Sequence, residues 1–102
     1  MHPIIEARRQ ELATLCRAHG VKRLELFGSA ARDDFDEARS DLDFLVDLGE
    51  HAGEDGLSPY FDLKFALEEL FTRSVDLVEI GTVRNPYVRA QIERDRELLY
   101  AP

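Results

Sequence analysis

The sequence is short of several common features. Its 102 residues include one cysteine (Cys16), no tryptophan, and 13 Lys or Arg against 21 Asp or Glu, so the net charge is −8. A single cysteine cannot form an internal disulfide, so we interpret Cys16 as a small core residue and expect a reducing, cytoplasmic setting. The shortage of positive charge argues against direct binding to nucleic acid, because Lys and Arg are needed to displace the counterions of phosphates.

Long apolar runs are also missing. No run approaches the roughly 20 residues that cross a bilayer, so we expect no membrane partner. Residues 1–9 are charged and lack the apolar stretch typical of a signal peptide. Of the residues, 44% are apolar and 33% are charged, which is typical of a folded globular chain. We therefore expect a single domain spanning residues 1–102.

The negative charge is concentrated in the middle of the chain. Residues 33–55 contain ten acidic residues and one basic residue, Arg39, which gives this segment a net charge of −9. The rest of the chain has a net charge of +1. Such a segment either keeps the protein soluble or performs chemistry, and the motifs within it decide between the two.

Apolar spacing and turn residues predict the element order α-β-α-β-α-β-α. The expected elements are a helix between Pro3 and His19 that Gly20 ends, a strand over 21–27, a short helix over 30–35, a strand over 42–48, a loop over 49–57, a helix from Ser58-Pro59, a strand over 75–80, and a last helix from Asn85-Pro86 that carries Leu99. This order predicts an α/β or α+β domain with a mixed sheet flanked by helices.

The first candidate site is Gly28-Ser29, where a strand ends and a short helix begins. Unpaired backbone N–H groups and a hydroxyl at a helix N-terminus suit a phosphate, and glycine allows the ligand to approach the backbone closely. An ordinary turn with a serine N-cap is the alternative interpretation.

The second candidate site consists of carboxylates. Asp41 and Asp43 open an apolar strand, and strand alternation places both on one face, about 7 Å apart along the strand. Oxygen ligands of this kind suit Mg²⁺. Asp76 lies inside another apolar strand and would complete a three-carboxylate cluster if the two strands were neighbours. The alternatives are a solvated strand end for the first pair and an edge-strand position for Asp76.

Taken in order, these features resemble the minimal nucleotidyltransferases of the DNA polymerase β superfamily. Members carry Gly-Ser, a spacer of about ten residues, Asp-x-Asp, and a third Asp on a later strand. The matching segments are Phe27–Arg32, Ser40–Val46 and Val75–Val78, and residues 85–100 are similar to the family's last helix. The spacer here is eleven residues, and Asp33 stands where a glycine commonly follows the arginine.

The resemblance implies transfer of a nucleotide from a nucleoside triphosphate. Asp41 and Asp43 would hold two Mg²⁺ ions, and Asp76 would ligate the second ion and help to remove the proton of the acceptor hydroxyl. Gly28 and Ser29 would bind the β- and γ-phosphates. The family pattern also implies that Arg32 could reach the phosphates, although a plain surface arginine fits the sequence nearly as well.

The resemblance also implies a partner. Minimal nucleotidyltransferases of this size typically accompany HEPN proteins as toxin–antitoxin pairs, so we expect an antitoxin that transfers AMP from ATP to a tyrosine of a HEPN ribonuclease toxin in a hetero-oligomer. The alternative is a non-catalytic antitoxin that covers a basic surface of the toxin with the acidic residues 33–37. A nucleotide-transferring subunit of a drug- or metabolite-modifying enzyme is a weaker alternative.

Overall fold

The computed structural model describes residues 2–32, 41–49 and 58–102. The helices are α1 (Pro3–Glu6), α2 (Arg9–Ala18), α3 (Ser29–Arg32), α4 (Ser58–Phe71) and α5 (Pro86–Asp95), with a 3₁₀ helix over Ile80–Thr82. The strands are β1 (Arg23–Phe27), β2 (Leu42–Asp47), β3 (Val75–Glu79) and β4 (Glu97–Tyr100). They form a four-stranded sheet in the order β3-β2-β1-β4. Strands β2 and β3 run parallel, and the other neighbours run antiparallel. The expected α+β class with a mixed, helix-flanked sheet is confirmed.

Several helix ends lie where the sequence places them. The Asn85 side chain accepts a hydrogen bond from the Tyr87 amide at 2.8 Å, and Pro86 occupies the first turn of α5. Gly20 has φ +66° and follows the C-cap His19, which is the usual left-handed end of a helix. Within the described residues, no helix is long and apolar enough to span a membrane.

The expected first helix is wrong in one respect, because it is two helices. Arg8 adopts φ −118° and ψ 16°, outside the helical region, and separates α1 from α2. The imidazole of His2 caps α1 by accepting a hydrogen bond from the Ile4 amide at 3.1 Å. Both pieces still contribute to the core, since Ile5 and Leu12 are buried.

The expected last helix is also wrong at its end. Helix α5 ends at Asp95, and Leu99 lies on the unpredicted strand β4, which pairs with β1. Arg96 turns out of the helix with φ −61° and ψ 132°. Neither glycine nor proline marks this change, and a single buried leucine fits both a helix and a strand. The element order therefore gains a fourth strand.

The two faces of the sheet bury different sets of residues. One face packs on α1, α2 and α4 and forms the main core, which comprises Ile5, Leu12, Cys16, Val21, Leu24, Leu26, Ala30, Leu42, Phe44, Val46, Leu48, Leu63, Leu67, Phe71, Val75, Leu77 and Leu99. The other face carries a smaller cluster in which Phe27 and Leu45 pack with Ile92 of α5. The interpretation of Cys16 is confirmed, since it is buried, and burial raises its pKa to about 12.

A buried carboxylate joins α5 to the second face. Glu25 is 2% exposed and accepts hydrogen bonds from Arg23 Nε at 2.6 Å and Arg96 Nε at 2.8 Å. Burial alone would raise the pKa of Glu25, but the two arginines outweigh this effect and lower the pKa. Two cations around one buried anion therefore tie the end of α5 to the middle of the sheet.

We expect Glu25→Gln to destabilise the fold at neutral pH by about 1 to 3 kcal/mol, because a neutral amide replaces an anion that two charged donors bind. The lowered pKa means that Glu25 stabilises the fold above its ordinary value of 4.5, and this contribution is lost as the pH falls. Urea unfolding of both chains at pH 7 and pH 3 measures it. An equal difference at both pH values would contradict this account.

Candidate active site

Two aspartates lie side by side at one end of the sheet. The register pairs Asp43 of β2 with Asp76 of β3 on one side and with Phe27 of β1 on the other. Neighbouring strands are about 4.8 Å apart, so side chains that share a face are direct neighbours. Both carboxylates point away from the main core, because Leu42, Phe44, Val75 and Leu77 alternate with them and are buried. Strands β2 and β3 are therefore neighbours, which was the condition for Asp76 to join the carboxylate cluster.

Asp41 lies outside the strand that carries Asp43. It lies just before the first residue of β2 and is exposed. Its charge still acts on Asp43, as does that of Asp76. Burial raises the pKa of Asp43, both neighbouring carboxylates raise it further, and Arg32 opposes them, so that the pKa is about 6. The site therefore holds an excess of negative charge.

Gly28 faces this carboxylate directly. It has φ +76°, which favours glycine, and it is buried. A Cβ atom added at Gly28 would collide with the Asp43 carboxylate. The glycine carbonyl accepts hydrogen bonds from the Ala31 amide at 3.1 Å and the Arg32 amide at 3.2 Å, which starts α3. Ser29, the first residue of α3, is half-buried beside this turn.

Arg32 is bound by a residue that the sequence analysis missed. Its Nη1 donates to Oδ2 of Asp95 at 2.6 Å; the side chain of Arg32 is 38% exposed, whereas that of Asp95 is only 5% exposed. Asp95 is the last residue of α5, where the helix dipole disfavours an anion. Because an acid is unfavourable at the C-terminal end of a helix, Asp95, which follows Arg94, was the sequence signal of a cationic partner.

The donor set suits a hard divalent cation in its chemistry. Asp41, Asp43 and Asp76 offer only oxygen ligands, and a cation would offset the charge that raises the pKa of Asp43. Among residues 2–32, 41–49 and 58–102, however, no three His, Cys, Asp or Glu side chains lie at metal-binding spacing. The three aspartates therefore fit the ion by type and charge, and only Asp43 and Asp76 among them are shown to be direct neighbours.

Seven of the ten acidic residues in segment 33–55 lie outside the described residues. This holds for Asp33, Asp34, Asp36 and Glu37, for most of the spacer between Ser29 and Asp41, and for the predicted loop from residue 50 to residue 57. The short helix expected over 30–35 is described as Ser29–Arg32, and the rest of that prediction falls in the same part of the chain.

Similar proteins identify the family of this chain. A family model described as a nucleotidyltransferase domain matches residues 8–99. The chain belongs to this family. The nucleotidyltransferase is 38% identical over 87 residues, 85% of each chain, to a Methanocaldococcus jannaschii protein that is named as a candidate protein adenylyltransferase.

Solved structures show the same fold. The nucleotidyltransferase resembles a candidate minimal nucleotidyltransferase with a TM-score of 0.75 and 37% identity, and 95% of each chain is covered. It also resembles, with a TM-score of 0.66 and 17% identity, a structure of the tri-AMPylated HEPN toxin of Shewanella oneidensis in complex with MNT antitoxin. That match covers 95% of this chain and 72% of the other, and it shows the fold alone.

We expect Gly28→Ala to destabilise the nucleotidyltransferase by more than 1 kcal/mol, since it adds left-handed strain to the collision with Asp43. Gly49→Ala is the matched control: its φ is +58°, but the nearest described atom to its Cβ would be Cδ of the flexible Lys22 side chain, at 3.4 Å. Adding Asp43→Ala should recover stability in the Gly28→Ala chain and not in the Gly49→Ala chain, as measured by chemical denaturation. Equal behaviour of the two chains would contradict the proposed contact.

We expect Asp43→Asn to stabilise the metal-free protein above pH 6. The folded pKa of about 6 exceeds the ordinary 3.8, so the wild-type chain loses stability as the pH rises between these values, and a neutral amide avoids that loss. The gain should be about 1 to 2 kcal/mol at pH 7.5, discounted for partial solvent access, and near zero at pH 3.5. Thermal unfolding in a chelator measures it, and a variant less stable at pH 7.5 would contradict it.

Proposed function

We propose that this nucleotidyltransferase is an antitoxin that transfers AMP from ATP to a tyrosine hydroxyl of a partner HEPN ribonuclease toxin. The name of the Methanocaldococcus jannaschii relative supports adenylylation of a protein. The Shewanella oneidensis neighbour, in which an AMPylated HEPN toxin accompanies an MNT antitoxin, supports the class of partner. We further propose that the two chains form a hetero-oligomer, because the partner must present its hydroxyl to the site.

One observation carries the proposal. Asp43 and Asp76 are aligned across β2 and β3, and the Gly28 turn meets the Asp43 carboxylate. A site for nucleotidyl transfer needs carboxylates that gather positive charge and, beside them, a turn that accepts the polyphosphate. The two features come from different strands, and their contact in space supports a common task.

The three carboxylates have different roles in this proposal. Asp41 and Asp43 would hold two Mg²⁺ ions, and Asp76 would help to ligate the second. When bound, these ions would supply positive charge against the triphosphate and the leaving pyrophosphate. Asp76 lies at the exposed end of the site and accepts the proton of the acceptor hydroxyl, whose ordinary pKa is near 10 for tyrosine.

The phosphate-binding residues hold the nucleotide in line. Backbone N–H groups at Gly28 and Ser29, with the Ser29 hydroxyl, bind the β- and γ-phosphates, and Arg32 adds a positive charge. The acceptor oxygen forms a bond to the α-phosphorus, and the bond from that phosphorus to the bridging oxygen of pyrophosphate breaks. Binding in this geometry accelerates the step mainly by positioning and charge neutralisation.

A transfer assay tests the proposal. The purified chain, its HEPN partner and Mg²⁺ are incubated with ATP labelled at the α-phosphate, and in parallel with ATP labelled at the γ-phosphate. We expect the partner to acquire only the α-label, with the added mass of AMP on a tyrosine peptide. Asp43→Asn should reduce labelling at least about 100-fold, as expected when one preorganised electrostatic group is lost.

Asp47→Asn is the control for this assay. Asp47 lies on the same strand and face as Asp43, and its side chain accepts a hydrogen bond from the Gly49 amide that asparagine can keep. Its labelling should match the wild type. Absence of label with the wild-type chain would overturn the transferase activity, and label on another residue type would overturn the tyrosine target. Full neutralisation of the toxin by Asp43→Asn would favour the non-catalytic antitoxin.

A further inference from the structure

A conspicuous ion pair outside the carboxylate cluster is that of Arg32 with Asp95. It joins residues 63 positions apart, with 2.6 Å between Nη1 and Oδ2. The Asp95 side chain is 5% exposed, so an anion is almost fully removed from water at the end of a helix that disfavours it. A buried carboxylate in such a place needs its cationic partner.

The short helix that carries Arg32 begins beside the carboxylate cluster. A Cβ atom added at Gly28, the residue just before α3, would collide with the Asp43 carboxylate. The backbone of Arg32 is also tied to the turn beside Asp43, because its amide donates to the Gly28 carbonyl at 3.2 Å. Arg32 therefore lies between the carboxylate cluster and the end of α5.

Asp95 is itself held in place. Its neighbour Arg96 donates to the buried Glu25 at 2.8 Å, which fixes the end of α5 on β1. Strand β4 begins directly after Arg96 and pairs with β1, the strand that carries Glu25. The carboxylate that binds Arg32 thus lies at a helix end that the contacts of Arg96 and β4 fix on the sheet.

We infer that Asp95 is a positioning residue, which holds the Arg32 guanidinium at the carboxylate cluster so that it meets the polyphosphate of the nucleotide. This inference rests on the proposed function. An arginine side chain carries about 2 kcal/mol of rotamer entropy. When a partner already orders the side chain, less of this entropy is lost on ligand binding, and the affinity is higher. A guanidinium has five N–H donors in a fixed fork, so one bound to a carboxylate can also bind a phosphate oxygen.

A purely structural role for Asp95 makes a different prediction. If the pair only joined α3 to α5, its loss would lower the melting temperature and leave the nucleotide affinity of the folded protein unchanged. If Asp95 positions Arg32, replacing Asp95 lowers the nucleotide affinity, and this effect disappears when Arg32 has also been replaced. A double-mutant cycle between the two residues separates these cases.

The test is calorimetric binding of a non-hydrolysable ATP analogue with Mg²⁺, with the melting temperature of each variant measured alongside. We expect Asp95→Asn to raise Kd about five- to tenfold, in the range of couplings between contacting residues. Combined with Arg32→Gln, it should bind no more weakly than Arg32→Gln alone. Asp95→Glu, which keeps the charge, should restore part of the affinity.

Glu93→Gln is the matched control, since Glu93 pairs with Arg96 at 2.8 Å on the same helix and is exposed. Its Kd should stay within about twofold of the wild type, because surface ion pairs contribute little. A wild-type Kd for Asp95→Asn, or independent effects of Asp95→Asn and Arg32→Gln in the double variant, would overturn the inference alone. Absence of analogue binding by the wild-type chain would overturn the proposed function, and the inference with it.

Discussion

Like charges on neighbouring strands are the constraint around which this fold is arranged. Parallel pairing of β2 and β3 sets Asp43 directly beside Asp76, and a folded chain bears the cost of that repulsion wherever no cation offsets it. The surrounding structure limits the cost in three ways. One carboxylate stays exposed on an edge strand, a glycine turn leaves room for the other, and Arg32 adds positive charge close by.

The two faces of the sheet separate stability from chemistry. The face toward α2 and α4 buries almost only apolar side chains, and it supplies most of the hydrophobic free energy. Within the described part of the chain, the opposite face has three buried apolar residues, Phe27, Leu45 and Ile92, together with the charged groups. On this second face two ion pairs join the end of α5 to β1 and α3, and their anions, Glu25 and Asp95, have buried side chains. Polar groups can therefore face the site without interrupting the main core.

Much of the site could be predicted from local patterns, because strand alternation alone decides which residues share a face. Asp43 and Asp76 interrupt apolar strands, and Gly28 ends one, so each is visible within a few residues of sequence. The parts that escaped prediction depend on distant partners. Glu25 follows the alternation of a half-exposed strand, yet it is buried because α5 and β4 cover it. Strand β4 has no local marker, and the acid at the end of α5 indicates a cation near Asp95 without identifying Arg32.

The large sequence separations within the two ion pairs also affect the order in which parts of the chain fold. Glu25 and Arg96 are 71 residues apart, and Arg32 and Asp95 are 63 apart, so both contacts close very long loops. Such contacts contribute little stability until the intervening chain is ordered, and they slow folding. A chain folded through β3 but not yet through α5 would hold Asp43 and Asp76 in register without the ion pair of Arg32 with Asp95. That ion pair is thus expected to form late in folding.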